Sequence, residues 1–379
     1  MKLDEVHFNH DINAATSDAL TICKNAAAMA RITAPEWKAG QTPQPAAYAS
    51  AALGGQVTIK AKFSGGPADG VRKIRAISAP VPTPGLRGWI AFVVSVIFRA
   101  LFGSVLGDVR AKTVLFGAAG NSGLETFELI HHRLKTAGVG IHHCTWTWQV
   151  KQGWKWVDFA NTAHKIYLVL DVPNGPWQQN VGNVTQLPWT DALDKACAWA
   201  HGSMTKDNAA ATVTKAINGQ PNQSYTPITM FGSAPYQLAS YINHLDSGLA
   251  FSLNCTDCAD AVTTFANLLG CDLWEGRFVN MVTRRFLPLN GDPAVDAAWV
   301  SWTWGYHEIC WLHAIGQNAF IYDGCLQVDM DNNYTDQIHI AQNPIRMKFG
   351  TNGPNDYRYR LIQSGAGTVQ NVPRRRSVA

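Results

Sequence analysis

The sequence predicts an α+β fold in two domains, an N-terminal β-sandwich and a C-terminal domain of helices and strands. Short segments of alternating polarity dominate up to about residue 175, and helical periodicity dominates from about residue 190. At 379 residues the chain exceeds one typical domain, and its 46% apolar residues can fill substantial cores. The net charge of +4 is too small to imply nucleic acid as a partner.

Residues 1–50 are expected to form an N-terminal extension, because an alanine-rich stretch from Asp18 to Arg31 suggests a helix and prolines then interrupt it. Gln56–Phe63 alternates apolar and polar residues, as a half-buried strand does. An immunoglobulin-like β-sandwich is therefore predicted for residues 51–175, interrupted by one helix around Glu125–Lys135. Further strands are expected at Val71–Ser78, Val109–Phe116, Cys144–Lys151, Trp154–Phe159 and Lys165–Val172.

An apolar insertion is expected at residues 86–107, where Gly88–Gly107 reads GWIAFVVSVIFRALFGSVLG. This length can span a bilayer, although Arg99 near the centre is costly there. A buried helix or hairpin is the favoured interpretation. Membrane contact through residues 88–107 stays open as an alternative, as does a membrane-active toxin.

The N-terminus, Met1–Glu5, has no apolar signal core, so we expect cytoplasmic synthesis. Export by a signal-independent process, as for a bacterial effector or toxin, stays open. Eight cysteines are scattered along the chain, which favours free thiols over a disulfide scaffold.

Residues 173–189 are predicted to be a linker, and residues 190–365 a second domain. Its helices are expected at 190–199, 208–217, 236–245 and 255–270, and its strands at 305–312 and 319–322. Residues 366–379, which include Arg374–Arg376, are expected to be a flexible basic tail.

Three residues of the second domain predict thiol chemistry. Cys255 begins an apolar helix, where unpaired N–H groups and the helix dipole favour a thiolate. His307 follows 52 residues later on a predicted strand, and Asp323 ends the next strand 16 residues further on. A hairpin of this length brings His307 beside Asp323, so the carboxylate can orient the imidazole towards the thiol. Alone, the helix would be an ordinary core helix, and the His–Asp pair an ordinary structural contact.

Other chemistry is less well supported. Cys255 and Cys258 form a CxxC that suggests a redox pair, but no thioredoxin-like βαβ pattern surrounds it. A zinc site at residues 142–144 is disfavoured, because adjacent strand residues point to opposite faces. Residues 329–333 have calcium-loop spacing, yet Tyr334 stands where glycine is needed, which favours a polar turn. No metal ion and no organic cofactor are therefore expected.

The segment around Cys255 resembles the nucleophile segment of the transglutaminase-like superfamily, which has a papain-like fold. The resemblance lies in Cys255, Asp257, Ala259 and Leu268–Gly270, followed by a histidine that begins a strand and an aspartate about sixteen residues later. It covers roughly residues 190–340 and implies that Cys255 is the nucleophile, His307 the base and Asp323 the orienting residue. The sequence departs from the family after Gly270, where Cys271-Asp272-Leu273 replaces the usual arginine, and in a long tryptophan-rich segment before His307.

By this resemblance the second domain performs thiol-dependent acyl transfer on amide bonds of a protein or peptide substrate. Hydrolysis by a cysteine peptidase, amidase or deamidase is favoured, because water is the default acceptor when no amine pocket is evident. Transglutaminase cross-linking is one alternative, and a non-catalytic binding or assembly protein with a degenerate papain-like domain is another. The oxyanion donor is expected to be the Cys255 N–H, with a side-chain donor left open among Gln237, Trp302 and Trp304.

Overall fold

The computed structural model describes residues 1–11, 16–24, 30–78, 104–177, 186–232, 234–331, 333, 337–351 and 353–379. The described residues form two compact units, one ending at Val172 and the other beginning at Pro173. Strands dominate the first unit, whereas the second combines helices and strands, so the predicted α+β class is confirmed. Residues 86–103 of the predicted apolar insertion, which carry most of the membrane hypothesis, lie outside the described residues. Among the described helices, none combines the length and apolar character needed to cross a bilayer.

Nine strands of the first unit form one continuous sheet. Their bounds are β1 Lys2–His7, β2 Trp37–Lys38, β3 Ala46–Ala49, β4 Thr58–Ser64, β5 Val71–Ser78, β6 Asp108–Leu115, β7 Glu125–Ile130, β8 Gly140–Gln152 and β9 Lys155–Val169. Their order in the sheet is β2-β1-β4-β7-β6-β5-β8-β9-β3. Neighbouring strands run antiparallel, except for the parallel pair of β9 and β3.

This sheet folds over onto a single core. Along β4, Ile59, Ala61 and Phe63 are buried and alternate with partly exposed residues, as a strand with one face in the core requires. The ring of Phe63 lies 5.6 Å from that of Trp148 on β8, although four steps separate β4 from β8 in the strand order. The two halves of the sheet therefore face each other, so the sandwich consists of one curled sheet.

Three expectations for this unit were wrong. Residues 1–50 are not an extension, because β1 lies inside the sheet between β2 and β4. Residues 16–24 form turns and extended chain in place of the start of a helix. The helix expected around Glu125–Lys135 is instead strand β7, where Phe127 and Leu129 alternate into the core.

The second unit contains five helices and ten strands among its described residues. The helices are α1 Thr190–Trp199, α2 Lys206–Asn218, α3 Leu238–Ser247, α4 Cys255–Leu268 and α5 Tyr357–Leu361. The strands are β10 Gln223–Tyr225, β11 Phe251–Leu253, β12 Leu273–Thr283, β13 Phe286–Pro288, β14 Thr303–Leu312, β15 Phe320–Tyr322, β16 Leu326–Asp329, β17 Ala341–Gln342, β18 Ile345–Lys348 and β19 Ile362–Arg374. Short 3-10 helices occur at Ser50–Ala52 in the first unit and at Asp296–Ala298 in the second.

Helix α4 is the central element of the second unit. Every residue from Cys255 to Leu268 is buried, because the helix packs on β12 and β14 of a five-stranded sheet and against α1 and α2. That sheet has the order β18-β15-β14-β12-β19, and the remaining strands form a three-stranded sheet and a parallel pair. The buried helix therefore presents its first turn to strand β14.

The predicted flexible tail, residues 366–379, and the described part of the predicted linker, residues 173–189, both belong to the second unit. Strand β19 pairs antiparallel with β12, and Val378 bridges to Tyr236, so residues 366–379 are not a flexible tail. Their arginines meet buried carboxylates, which a solvated tail would not do. In the predicted linker, the indole of Trp177 is buried and donates to the carbonyl of Thr264 on α4 at 2.8 Å.

Candidate active site

Cys255 occupies the first turn of α4, held there by a reciprocal cap. The side chain of Asn254 accepts from the Asp257 N–H at 3.0 Å, and the Asp257 carboxylate accepts from the Asn254 N–H at 3.0 Å. The same carboxylate accepts from the N–H groups of Met230 and Phe231, at 3.0 and 2.6 Å. Two capping bonds and a clamped loop thus fix the helix start, where the unpaired N–H groups favour a thiolate.

His307 and Asp323 lie side by side on neighbouring strands. Cys310 and Trp311 of β14 pair with Tyr322 and Ile321 of β15. The His307 Nε2 atom is 2.9 Å from Asp323 Oδ2, and both side chains are completely or almost completely buried. The carboxylate therefore fixes the orientation and the tautomer of the ring, because Nε2 must carry the proton that it shares with Asp323.

The other nitrogen of His307 is the one left for the thiol. Nδ1 has no partner in hydrogen-bond geometry among the described residues, yet the imidazole interacts with the Cys255 sulfur. The sulfur contact is thus looser than a formed hydrogen bond, as is common in catalytic sites without substrate. The three residues singled out from the sequence lie together in one buried cluster.

Two opposing influences act on the proton shared by the thiol and the imidazole. Burial raises the pKa of the Cys255 thiol, and the neighbouring His307 only partly counteracts this. Burial also lowers the pKa of His307, but Asp323, with a smaller contribution from Cys255, outweighs burial and raises it to about 10. Asp323 therefore makes the imidazole a stronger base, which favours transfer of the thiol proton to it.

Asp323 has two further donors that sequence reasoning did not find. The Tyr357 hydroxyl donates to Oδ2 at 2.6 Å, and the Cys325 N–H donates to Oδ1 at 2.8 Å. Tyr357 is completely buried, and no local motif marks it. Together these donors satisfy the carboxylate and hold it in the orientation that His307 requires.

A second carboxylate ties the helix start to strand β14. Glu308, next to His307, accepts from Thr256 at 2.8 Å and from Arg277 at 3.0 Å. Arg374, in the segment expected to be a tail, donates to its other oxygen at 2.6 Å. Burial alone would raise the pKa of Glu308, but the surrounding arginines outweigh burial and lower it. A direct hydrogen bond thus joins Thr256, the residue after Cys255, to Glu308, the residue after His307.

Asp260 and Glu275 form a buried acidic pair near Glu308. Burial raises the pKa of Asp260 and that of Glu275, the latter to about 7, and the two carboxyl groups interact with each other. Arg376 makes an ion pair with Asp260 and favours the charged forms of both acids. The C-terminal arginines therefore neutralise buried carboxylates on α4, β12 and β14.

An aromatic cavity of about 630 Å³ adjoins the histidine. Trp304 lines it and also stacks on His307, with ring centroids 4.5 Å apart and planes 20° apart. Gln237, Trp302 and Trp304 are the side chains left open as oxyanion donors. The amide of Gln237 donates to the Pro235 carbonyl at 3.2 Å, whereas Trp302 and Trp304 line the cavity. The lining residues are Tyr225, Pro227, Pro288, Leu289, Trp302, Thr303 and Trp304.

Comparisons with known proteins add a likeness to solved structures. No protein-family model matches this chain, and no curated protein matches it. The solved structure of red sea bream transglutaminase is similar over 91% of this chain and 55% of its own, at 11% sequence identity and a TM-score of 0.40. This chain thus spans about half the length of that protein.

Two other interpretations of the sequence concern the CxxC pair of Cys255 and Cys258 and the calcium-loop spacing at residues 329–333. No disulfide joins any of the eight cysteines, and the buried Cys258 thiol interacts with Cys325. At the end of β16, the Asp329 carboxylate contacts His339 Nδ1 at 2.7 Å and accepts from the Asp331 N–H at 3.2 Å. These contacts describe a polar turn.

Proposed function

We propose that this chain carries out thiol-dependent acyl transfer on amide bonds, with Cys255 as nucleophile, His307 as general base and Asp323 as the residue that orients the imidazole. The observation that carries the proposal is the buried His307–Asp323 contact of 2.9 Å, which leaves the second ring nitrogen facing the thiol of a capped helix start. An ordinary structural His–Asp pair would have no need of a thiol at that nitrogen.

In the proposed mechanism, His307 Nδ1 holds the proton of the Cys255 thiol, so the site rests as a thiolate–imidazolium pair, and the sulfur attacks the amide carbonyl carbon. The tetrahedral oxyanion is stabilised by the N–H of Cys255, which has no acceptor within the helix. The imidazolium then gives its proton to the departing amine, the C–N bond breaks and a thioester remains. Water attacks the thioester while His307 takes a proton from it, and the acid leaves as the thiol is restored.

Hydrolysis of a protein or peptide amide is the favoured outcome, since water needs no dedicated binding site. The aromatic cavity beside His307 offers a surface for an extended substrate, because aromatic walls bind flat or aliphatic groups. If a primary amine replaces water in the last step, the same thioester leads to cross-linking. The acceptor therefore distinguishes the two activities after a common first half-reaction.

An activated ester tests the first half-reaction without the natural substrate. With p-nitrophenyl acetate, we expect a burst of p-nitrophenolate equal to the enzyme concentration and an acetyl group on Cys255. Cys255→Ala should abolish the burst, whereas Cys258→Ala, one turn along the same helix, should keep it. Acetylation that persists in Cys255→Ala would contradict the proposed nucleophile. Adding a primary amine then shows whether the acyl group passes to the amine or to water.

A further inference from the structure

His10, Asp11 and Asp18 bring three ligand atoms together in the first unit. One ring nitrogen of His10 and one carboxylate oxygen from each aspartate all lie within 4.8 Å of one another. Nδ1 of His10 is 3.2 Å from Asp11 Oδ2. This cluster lies in the chain after β1 of the first unit and shares no residue with the site around Cys255.

The hydrogen bonds of His10 place a lone pair in the cluster. Its Nε2 atom lies 3.0 Å from the Thr58 hydroxyl, and that hydroxyl donates its own proton to the Ser17 carbonyl at 3.3 Å. The hydroxyl must therefore accept from Nε2–H, so Nδ1 is unprotonated in the neutral ring. The His10 side chain is only 3% exposed, and Nδ1 has no hydrogen-bond partner among the described residues.

Asp18 presents a second unpaired acceptor. The residue is 0% exposed, and its Oδ2 atom accepts from the Asp11 N–H at 2.6 Å. Its Oδ1 atom meets no hydrogen-bond donor from the described part of the chain. A buried carboxylate oxygen and a buried imidazole lone pair of this cluster thus both lack a hydrogen-bond partner among the described residues, which is costly unless a cation or a proton satisfies them.

We propose that His10, Asp11 and Asp18 bind a divalent transition-metal ion, with His10 Nδ1 and one oxygen of each carboxylate as ligands. One imidazole and two carboxylates suit Mn²⁺, Fe²⁺ or Zn²⁺, whereas Ca²⁺ and Mg²⁺ prefer oxygen ligands alone. Thr58 acts as the outer partner that fixes the ring, as the second hydrogen bond of a metal-binding histidine does. The Asp11 side chain is 50% exposed, so the ion has a path from solvent.

The bound ion would tie the chain after β1 to strand β4. His10 follows β1, and its outer partner Thr58 begins β4. The competing occupant is a proton on His10 Nδ1, which lies 3.2 Å from Asp11 Oδ2. A proton and a metal ion satisfy the same lone pairs, so direct measurement of metal binding separates them.

Mn²⁺ is the probe, because thiols compete for it less than for Zn²⁺. The electron paramagnetic resonance signal of free Mn²⁺ weakens as the ion binds, so a titration gives stoichiometry and affinity. We expect one Mn²⁺ per chain, with at least ~10-fold weaker binding in Asp11→Asn and ~10- to 100-fold weaker binding in Thr58→Val. His7→Gln is the matched control, because His7 pairs with Glu5 outside the cluster.

Asp11 is half exposed, so Asp11→Asn should leave the folded state intact, which circular dichroism checks. An unchanged Mn²⁺ signal with the wild-type chain overturns the proposal and leaves the proton as the occupant. Equal affinities of the wild type and Asp11→Asn overturn it as well, since binding would then lie elsewhere. Stronger binding of Ca²⁺ or Mg²⁺ than of Mn²⁺ contradicts the proposed imidazole ligand.

Discussion

Replacing Asp323 with asparagine removes the charge that makes His307 basic and keeps the shape of the side chain. The pKa of His307 is raised from 6.5 to about 10, mainly because the Asp323 carboxylate outweighs burial. That change corresponds to roughly 5 kcal/mol of stabilisation of the imidazolium relative to the neutral ring. Without the charge, burial dominates, and we expect the pKa of His307 to fall below 6.5 in Asp323→Asn.

The substitution also changes which ring nitrogen carries the proton. The amide that replaces the Asp323 carboxylate can donate to Nε2, and this places the ring proton on Nδ1, facing the thiol. A ring protonated there cannot take the Cys255 proton, so the rate of acyl transfer should fall by about 10⁴-fold, as for the equivalent change in serine proteases. Unchanged rates would contradict the proposed role of Asp323.

Nuclear magnetic resonance of chains labelled at histidine measures the pKa directly, and His307→Gln assigns the signal. Unfolding in urea gives a second readout. Because the folded-state pKa is raised, the imidazolium stabilises the wild type below pH 6.5, and this contribution is lost as the pH rises towards about 10. Asp323→Asn should lack that loss. A wild-type His307 that titrates near 6.5, or one whose pKa is the same in both chains, would refute the reasoning.

Two further substitutions probe the surroundings of the site by urea unfolding. Tyr357→Phe removes a buried donor 2.6 Å from the Asp323 carboxylate and should lower the free energy of unfolding by about 1.5–3 kcal/mol; an unchanged unfolding midpoint would mean that the hydroxyl does not support Asp323. Arg376→Gln leaves the buried Asp260 without its cation and should cost about 3–5 kcal/mol. Arg358→Gln is the matched control, because Arg358 donates only to backbone carbonyls among its hydrogen bonds, and equal losses in the two variants would count against the buried ion pair.

The sequence was sufficient to bring Cys255, His307 and Asp323 together because local rules decide their positions. Asn254 and Asp257 predict a helix start at the thiol, and the apolar stripe behind it predicts burial. The spacing of His307 and Asp323 is that of a hairpin, and the strands β14 and β15 do pair. Each inference needed only residues within one or two neighbouring elements.

The supporting residues could not be found in the same way. Tyr357 reaches Asp323 across 34 positions and Arg374 reaches Glu308 across 66, so only the tertiary fold brings them together. The arginines near the C-terminus resembled a solvated tail because the acids that they meet are scattered along α4, β12 and β14. The sequence of strand β7 predicts a helix because its alternation is short, whereas pairing with β4 and β6 decides its conformation in the fold.

Selective alkylation tests the central claim, an activated thiol at Cys255, most directly. All eight cysteines are buried, and Cys255, at 5% exposed, is one of them. With a low dose of iodoacetamide, intact mass and peptide mapping should show that Cys255 is modified first, and His307→Gln should remove that preference. Slow, uniform labelling of all thiols, or labelling of Cys255 that is equally fast in His307→Gln, would contradict the account.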